Sequence, residues 1–385
     1  MFPYVSDLIN YIFGTRLRLP VLSYGFMLAT AFVIAAFILN RELRRLEREN
    51  KIPVQEHKRV IGGPARIMEL LFSGLSGFIF GWKGAGILLD YANFSANPQE
   101  YILSSKGSLS GALILGGLFL FITWHQKKKS RLKEPVIIVT PVHPYQLTIN
   151  FTFIAAIFGI AGSKVFDIIE HMNDLFLDPI GTIFSFSGLS FYGGLICAGV
   201  AIVYYAHRNK IRFPYIADAV APALILAYAI GRIGCQLAGD GCWGIMNTAP
   251  QPSWLGFLPG WMWAFRFPHN VINEGIRMTG CTGDHCFILQ NPVFPTSFYE
   301  TVLGVIIFVI LWIIRKKLTI PGHLFCIYLI LNGMERYFIE KIRMNRIYPV
   351  LGMHLTQAEI IALGLIIFGT AGFWYFKKLE KKRQH

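Results

Sequence analysis

The chain has 385 residues, of which 54% are hydrophobic, and a formal net charge of +14 at pH 7. Its positive mean hydropathy of +0.48 and its recurring long apolar runs exclude an ordinary soluble domain and predict a membrane protein. Its basic residues follow the loops between the apolar runs, so the charge does not indicate a nucleic-acid partner.

Nine segments are apolar and long enough to cross a bilayer. They lie at residues 20–40, 67–90, 108–124, 150–169, 187–206, 216–237, 297–314, 321–339 and 357–376. Alternate loops are rich in Lys and Arg, and such loops stay in the cytoplasm. The sequence therefore predicts one all-α, polytopic membrane domain over residues 1–385. It has about nine transmembrane helices, with the N-terminus outside and the C-terminus in the cytoplasm.

The first 124 residues contain two notable segments after the N-terminus. Residues 1–10 have no basic stretch before an apolar core, so no cleaved signal peptide is expected. Residues 41–66 form a basic cytoplasmic loop that we expect to contact anionic lipid head groups. Residues 67–124 form an additional two-helix unit that faintly resembles the helices between 151 and 203, through either a duplication or the shared Gly and Leu content.

Residues 245–293 are too polar and too rich in Pro, Gly and Trp to cross the membrane. We expect them to form a small head on the outer face. Within it, Cys281 and Cys286 flank His285. A metal site is conceivable, but a single pair at this spacing favours a small disulfide or two free thiols.

Charged residues inside the apolar segments are the main functional signal. A guanidinium at membrane depth costs several kcal/mol unless it is paired or solvated, so such a residue usually marks a functional site. With a rise of about 1.5 Å per residue, the polar residues of separate segments all fall in the outer third of the membrane. These residues are Tyr24, Lys164, Tyr192, Arg232, Tyr299, Glu300, Arg336 and Glu340.

Some of these residues also have a structural interpretation. Arg336 and Glu340 are four residues apart and could form an ion pair on one helix face. Lys164 could be neutralised by Asp167 or extend to the membrane surface. These alternatives stay open at the level of sequence.

Arg232 has no carboxylate nearby along the chain before Asp240. Glycines that surround it, among them Gly231, Gly234 and Gly244, let the backbone approach a ligand closely. An arginine fork without an adjacent carboxylate suits a phosphate, and the abundant phosphate at this depth is a phospholipid head group.

A series of motifs resembles the prolipoprotein diacylglyceryl transferase family over most of the chain. They are S-Y-G-F-M at Tyr24, G-S-K at Lys164, S-F-Y-G-G-L-I at Tyr192, G-R-I-G-C-Q-L-A-G-D-G-C-W-G ending at Gly244, F-P-T-S-F-Y-E ending at Glu300, and E-R-Y-F-I-E-K-I-R ending at Arg343. The glycine-rich stretch around Arg232 is the most specific of them. The chain departs from the usual pattern at Tyr192, Cys235 and Phe294.

The resemblance implies a multi-pass enzyme of the bacterial inner membrane. It would transfer the diacylglyceryl group of phosphatidylglycerol to the lipobox cysteine in the signal peptide of a lipoprotein precursor. The products would be a thioether and glycerol phosphate. Expected partners are phosphatidylglycerol, that precursor and membrane lipids, with no cofactor and no metal.

The resemblance also implies roles for individual residues. The expected catalytic residues are Arg232, Arg336, Glu340, Tyr192 and Asp240. The expected phospholipid-binding residues are Arg232, Tyr24, Gly231, Gly234, Gly244, Tyr299, Glu300 and Lys164. Two other functions remain as alternatives: a transporter or lipid flippase, and a non-catalytic relative that binds lipid. Confinement of the charged residues to the outer third favours an outward-facing enzyme, because a transporter places its substrate site near the midplane.

Overall fold

Helices make up most of the chain. The computed structural model describes all residues except 18, 62, 97–100, 103, 133–135, 173–175, 177–181, 183–189, 344–346, 351–352 and 385. Two parts of the predicted topology lie largely outside the described residues: the acidic stretch at 170–178, between the spans predicted at 150–169 and 187–206, and the first residues of the span at 187–206. The chain divides into two compact units. The first comprises Met1–Leu17, Val21–Pro53 and Pro144–His385, and the second comprises Arg18–Pro20 and Val54–His143.

The elements follow one another in a simple order. The helices are α1 (Val5–Phe13), α2 (Ser23–Arg48), α3 (Ile67–Leu89), α4 (Tyr91–Ala96), α5 (Leu109–Lys129), α6 (Thr148–Glu170), α7 (Phe191–Arg208), α8 (Phe213–Ala238), α9 (Thr296–Ile314), α10 (His323–Glu340) and α11 (Gln357–Gln384). The strands are β1 (Gln55–Ile61), β2 (Val136–Val142), β3 (Ile276–Arg277), β4 (Phe287–Ile288), β5 (Ile347–Val350) and β6 (Met353–Thr356). Short 3-10 turns cover Pro144–Leu147, Ser253–Leu255 and Gly260–Met262.

A helix lies at each of the nine predicted spans. Seven of the described helices are long and apolar enough to cross a membrane, namely α2, α3, α5, α6, α8, α9 and α11. The other two are α7, which ends in His207 and Arg208, and α10, which carries three charged residues. The protein is thus a mostly helical, multi-pass membrane protein, and the count of nine crossings and their orientation stay predictions.

The all-α prediction omitted three two-stranded antiparallel sheets. Strand β1 begins within the predicted basic loop 41–66 and pairs with β2, which lies far along the chain. Helix α2 reaches Arg48 and so extends into the first residues of that loop. Short strands depend on pairing partners that only the tertiary fold provides, so an apolar pattern did not predict them.

Helix α8 lies at the centre of the first unit. It packs against α2, α9 and α10. Of the residues in its most apolar stretch, 56% are buried, against 28% or less in the other helices that are long and apolar enough to cross a membrane. The core joins three helices through Ala221, Ile225, Ile307, Leu311, Leu324 and Tyr328. The alanines of α8 allow this close approach, since small residues let helices pack tightly in lipid.

Asp218 of α8 determines where α10 begins. Its carboxylate accepts the backbone N–H groups of Gly322 at 2.7 Å and of Phe325 at 2.9 Å. The first N–H groups of a helix have no partner within the helix, and a carboxylate there is favoured by the helix dipole. This cap anchors α10, whose opposite end carries Arg336 and Glu340.

The same kind of glycine contact occurs inside two separate helix pairs, α3 with α5 and α6 with α7. A Cβ at Gly81 would clash with the carbonyl oxygen of Gly111. In the other pair, a Cβ at Gly162 would lie too close to the carbonyl oxygen of Gly193. Each pair therefore crosses at glycines that occupy matching places in the two similar segments.

A hydrogen bond beside this crossing also recurs. Ser108, before α5, donates its backbone N–H to the carbonyl of Trp82 at 2.9 Å. Ser190, before α7, donates to the carbonyl of Ser163 at 3.1 Å. Since the acceptors follow the matched glycines Gly81 and Gly162 directly, the contacts favour a duplication over a chance similarity of composition.

Candidate functional site

Glu300 of α9 lies at the centre of a cluster of three arginines. Its carboxylate is fully buried and forms ion pairs with Arg232 Nε at 3.0 Å, Arg336 Nη1 at 3.1 Å and Arg343 Nη1 at 3.3 Å. A buried carboxylate is tolerated only when cations or donors compensate for its lost hydration. Glu300 therefore holds guanidiniums from α8, from α10 and from the segment after α10 in one place.

The expectation that Arg232 lacks a carboxylate partner is wrong. Its partner is Glu300, which lies on a different helix, so the spacing along the chain could not reveal the pair. Asp240, the nearest carboxylate along the chain, instead accepts the backbone N–H of Cys242 at 3.2 Å. Glu300 itself was predicted as a lipid ligand, and that role stays a prediction; in the structure its carboxylate pairs with three arginines.

The predicted pair between Arg336 and Glu340 forms within the same cluster. Arg336 Nη2 lies 3.4 Å from a carboxylate oxygen of Glu340. The pair is therefore both an ion pair on one helix face and a part of the arginine cluster. Tyr192 lies within electrostatic range of Arg336.

The three guanidiniums remain partly accessible although Glu300 is enclosed. The side chains of Arg232, Arg336 and Arg343 are 17%, 20% and 15% exposed. Over the described residues, the ion pairs of Arg232 use Nε, and its guanidinium lies 5.1 Å from the ring centre of Tyr228. Its Nη groups can therefore bind a phosphate in the bidentate way that arginine favours.

Arg343 was not assigned a role from the sequence. Its spacing from Arg336 and Glu340 was the available signal, because all three would lie on one helix face. Helix α10 ends at Glu340, however, and Arg343 instead forms an isolated β-bridge with Gly244. This bridge, rather than the helix, aims Arg343 at Glu300.

Gly244 is required for that arrangement. A Cβ at this position would clash with the carbonyl oxygen of Ile342 and lie 2.9 Å from side-chain atoms of Phe294. Its predicted role in lipid binding stays a prediction, while its surroundings are closely packed. By contrast, a Cβ at Gly231 would meet no atom within 4 Å, so the backbone there borders open space.

Gly234 brings the first predicted span against α8. A Cβ there would lie 3.1 Å from the side chain of Met27 and 3.4 Å from the backbone of Tyr24. The Tyr24 side chain itself is 43% exposed. Tyr24 therefore lies beside the glycine-rich end of α8, where a lipid could reach it.

Two further predicted lipid ligands make contacts within the protein. The hydroxyl of Tyr299 donates to the carbonyl oxygen of Met262 at 2.8 Å and so ties the head to α9. Lys164 Nζ lies 3.0 Å from Asp167, the neutralising pair that its spacing indicated. Lipid binding by Tyr299 and Lys164 stays a prediction.

Gln236 is a polar residue of the site that the sequence did not single out. Its side-chain oxygen accepts the hydroxyl of Ser297 at 2.9 Å, and its Nε2 is buried without a hydrogen-bond partner among the described residues. Its place four residues after Arg232 puts both side chains on one helix face. A buried donor without a partner is destabilising, which favours a ligand for it.

The turn after α8 brings two thiols and a carboxylate together. The Sγ atoms of Cys235 and Cys242 and a carboxylate oxygen of Asp240 all lie within 4.8 Å of one another. A hydrogen bond from Cys235, together with nearby arginines, lowers the pKa of the Cys242 thiol below its usual value. The sequence predicted no metal site, and it offered no signal that these three side chains converge.

The head contains the disulfide Cys281–Cys286. The sequence had favoured a disulfide or free thiols over a metal at this pair, and the structure contains the disulfide. Phe267, Leu289 and Val293 form a small core within the head.

Comparison with known proteins identifies the family. The family model for prolipoprotein diacylglyceryl transferase matches residues 111–375, which is more than half of the chain. The chain belongs to the prolipoprotein diacylglyceryl transferase family. The matched range contains the whole arginine cluster, whereas Tyr24 precedes it.

Curated members of this transferase family show moderate similarity. The phosphatidylglycerol–prolipoprotein diacylglyceryl transferase of Corynebacterium efficiens is 28% identical over 231 residues, covering 58% of this chain and 67% of the relative. The enzyme of that name from Oceanobacillus iheyensis is 26% identical over 295 residues, covering 75% of this chain and 92% of the relative. That of Dehalococcoides mccartyi is 27% identical over 238 residues, covering 62% and 80%.

Proposed function

We infer that this protein transfers the diacylglyceryl group of phosphatidylglycerol to a prolipoprotein. Its family and the names of its relatives support this activity. The observation within the molecule that carries the inference is the convergence of three partly exposed arginines on the buried Glu300. Such a cluster among apolar helices suits a substrate that joins an anionic phosphate to long acyl chains.

The reaction is the alkylation of a thiol. The sulfur of the acceptor cysteine attacks the glyceryl carbon that bears the phosphate, and the carbon–oxygen bond to that phosphate breaks. Its electron pair leaves on glycerol phosphate, and a thioether forms. We propose that the acceptor is the lipobox cysteine of the precursor's signal peptide.

The arginines serve both halves of this step. Arg232, whose Nη groups are available, binds the phosphate and stabilises the charge that develops on it as the bond breaks. Arg336 and Arg343 extend the positive surface, and the same charges favour the thiolate form of the attacking cysteine. Glu300 acts as a positioning residue for all three.

The proton of the thiol needs an acceptor. Glu340 and Tyr192, both near Arg336, are the side chains that we propose for this role, with water as the third route. Gln236 adds a buried amide donor that suits an oxygen of the phosphate or of the leaving glycerol.

The location and topology are part of the proposal. The bacterial relatives support a location in the bacterial inner membrane, and the basic loops support nine crossings with the N-terminus outside. In that orientation the arginine cluster opens near the outer surface, residues 245–293 form an outer head and residues 41–66 form a cytoplasmic loop. Family membership favours the transferase over the transporter or flippase.

The test is a transfer assay with purified protein, phosphatidylglycerol and a lipobox peptide. We expect glycerol phosphate release with the Cys peptide and none with a Ser peptide. Arg232→Ala and Arg336→Ala should abolish transfer while the protein stays folded. Arg208→Ala, which removes an exposed arginine at the end of α7, is the matched control and should keep full activity. Equal rates in wild type and in both cluster variants would refute the proposed site, and folded wild type without transfer would indicate the non-catalytic relative.

A further inference from the structure

Cys235, Asp240 and Cys242 form a donor cluster that the arginine site does not use. Two sulfurs and one carboxylate oxygen within 4.8 Å of one another are the donor types that zinc prefers. In a tetrahedral zinc site with bonds of about 2.0–2.3 Å, ligand atoms lie roughly 3.5 Å apart. The three atoms therefore need to close by about 1 Å to share one ion.

The turn that carries the cluster is tightly held. Gly239 and Gly241 adopt the left-handed region, with φ of 66° and 88°. Asp240 Oδ1 accepts the N–H of Cys242, and the carbonyl oxygen of Cys242 accepts the hydroxyl of Thr296 at 2.7 Å. Within this turn the Sγ atoms of both cysteines lie within 4.8 Å of a carboxylate oxygen of Asp240. Cys235 is buried and Cys242 is half-buried, so an ion between them would be largely shielded from water.

The nearby arginines do not oppose a cation at this place. Glu300 offsets part of the positive charge of Arg232 and Arg343. When a divalent ion binds, two thiols lose their protons, so the local net charge stays the same. The electrostatic cost of adding an ion beside guanidiniums is therefore small.

We propose that Cys235, Asp240 and Cys242 bind one divalent cation of the zinc class, and that its fourth coordination position takes the thiol of the peptide substrate. Three protein ligands and an open position are typical of zinc sites that act on a substrate. The second half rests on the proposed function.

The cluster lies beside the proposed phosphate site, so the substrate thiol can serve as the fourth ligand. Cys235 lies one helical turn after Arg232, the residue that binds the leaving phosphate. On binding, the thiol releases its proton to water, because a metal-bound thiol is deprotonated outright. The thiolate then attacks the glyceryl carbon, and the electron pair of the broken carbon–oxygen bond leaves on glycerol phosphate. The cation changes neither its charge nor its oxidation state.

Metal content tests the first half without reference to activity. Full-length protein, purified without a histidine tag and loaded with zinc, should retain about one equivalent after removal of free metal. Cys235→Ser with Cys242→Ser, and separately Asp240→Asn, should retain below about a tenth, because loss of one ligand weakens such sites strongly. The matched control removes the two other free cysteines, Cys197→Ala with Cys326→Ala, and should retain the full equivalent.

Cobalt absorption checks directly whether thiolates bind the metal. The cobalt-loaded wild type should show thiolate-to-cobalt absorption, and the control double variant should show the same band. Wild type without bound metal, or equal metal in the Cys235 and Cys242 double variant, would overturn the proposal. Peptide mapping under non-reducing conditions that finds Cys235 and Cys242 joined as a disulfide in active protein would also overturn it.

The second half is tested by adding a lipobox peptide to the cobalt protein in the absence of phosphatidylglycerol. A Cys peptide should intensify the thiolate band and a Ser peptide should not, and an unchanged spectrum would refute thiol binding. Chelated protein should lose transfer and recover it with zinc, so full activity of metal-free protein would refute the same half. Arg232→Ala should keep the metal and the spectral response while losing transfer, which separates failure of this proposal from failure of the proposed function.

Discussion

Replacing Glu300 with Gln tests whether one carboxylate holds the arginine cluster together. The carboxylate is 0% exposed and pairs with three guanidiniums at 3.0, 3.1 and 3.3 Å. A glutamine of nearly the same shape offers one acceptor oxygen, and its amide NH2 would face another donor. At least one arginine must then turn away, and repulsion among the three cations is no longer compensated.

The magnitude follows from the contacts. Two unit charges about 4 Å apart attract by about 4 kcal/mol at an effective dielectric constant of about 20. Much of the attraction of three such pairs is offset by the desolvation of Glu300, and breaking a buried pair typically costs about 3–5 kcal/mol. A displacement of about 1 Å in a positioned group lowers the rate by about a hundredfold, so we expect kcat/KM to fall by about that factor.

The assay measures transfer of the diacylglyceryl group to a lipobox peptide, alongside thermal unfolding in detergent. Glu300→Asp keeps the charge but shortens the side chain, so it should recover part of the stability and activity. Glu49→Gln is the matched control, since Glu49 pairs with Arg45 and Lys51 at a partly exposed position and such pairs contribute about 0–1 kcal/mol. Wild-type kcat/KM and unfolding temperature in Glu300→Gln would refute the assignment of Glu300 as the positioning residue.

Four other substitutions probe the cluster and the helices that carry it. Gly244→Ala should lower the free energy of unfolding by about 1–3 kcal/mol, because its Cβ would clash with the Ile342 carbonyl oxygen. Gly231→Ala should leave the free energy of unfolding unchanged and raise KM for phosphatidylglycerol, since its Cβ enters open space. Equal free energies of unfolding for the two variants would contradict this contrast. Gln236→Leu should raise KM for phosphatidylglycerol about tenfold, the effect of one hydrogen bond to a charged group, and an unchanged KM would show that its amide does not reach the lipid. Asp218→Asn should lower stability by about 1–2 kcal/mol through the weakened cap of α10, measured by thermal unfolding, with transfer by the folded protein largely retained.

The positions of the helices could be predicted because the bilayer imposes them. A span must be apolar over about 20 residues, and that requirement can be recognised in any single segment. The same rule explains why Arg232 and Arg336 are conspicuous in the amino-acid sequence. The short strand pairs were missed because they impose no comparable requirement on composition.

The pairing within the candidate site could be predicted only in part. Arg336 with Glu340 and Lys164 with Asp167 were predictable, because residues three or four apart on a helix are neighbours. Gln236 follows Arg232 at the same spacing, yet a single glutamine in an apolar helix carried too little signal. Its buried amide is informative only because Ser297, from another helix, occupies its oxygen.

The amino-acid sequence by itself determined which segments enter the membrane, which residues there bear charge, and to which family the motifs belong. Each of these is a property of local composition and order. Only the tertiary structure decided that Glu300 joins Arg232, Arg336 and Arg343, and that Cys235, Asp240 and Cys242 converge. The arginine cluster depends on how separate helices rotate and pack against one another, which no spacing within one helix encodes. The three donor atoms meet through the path of the turn after α8, where Gly239 and Gly241 adopt the left-handed region.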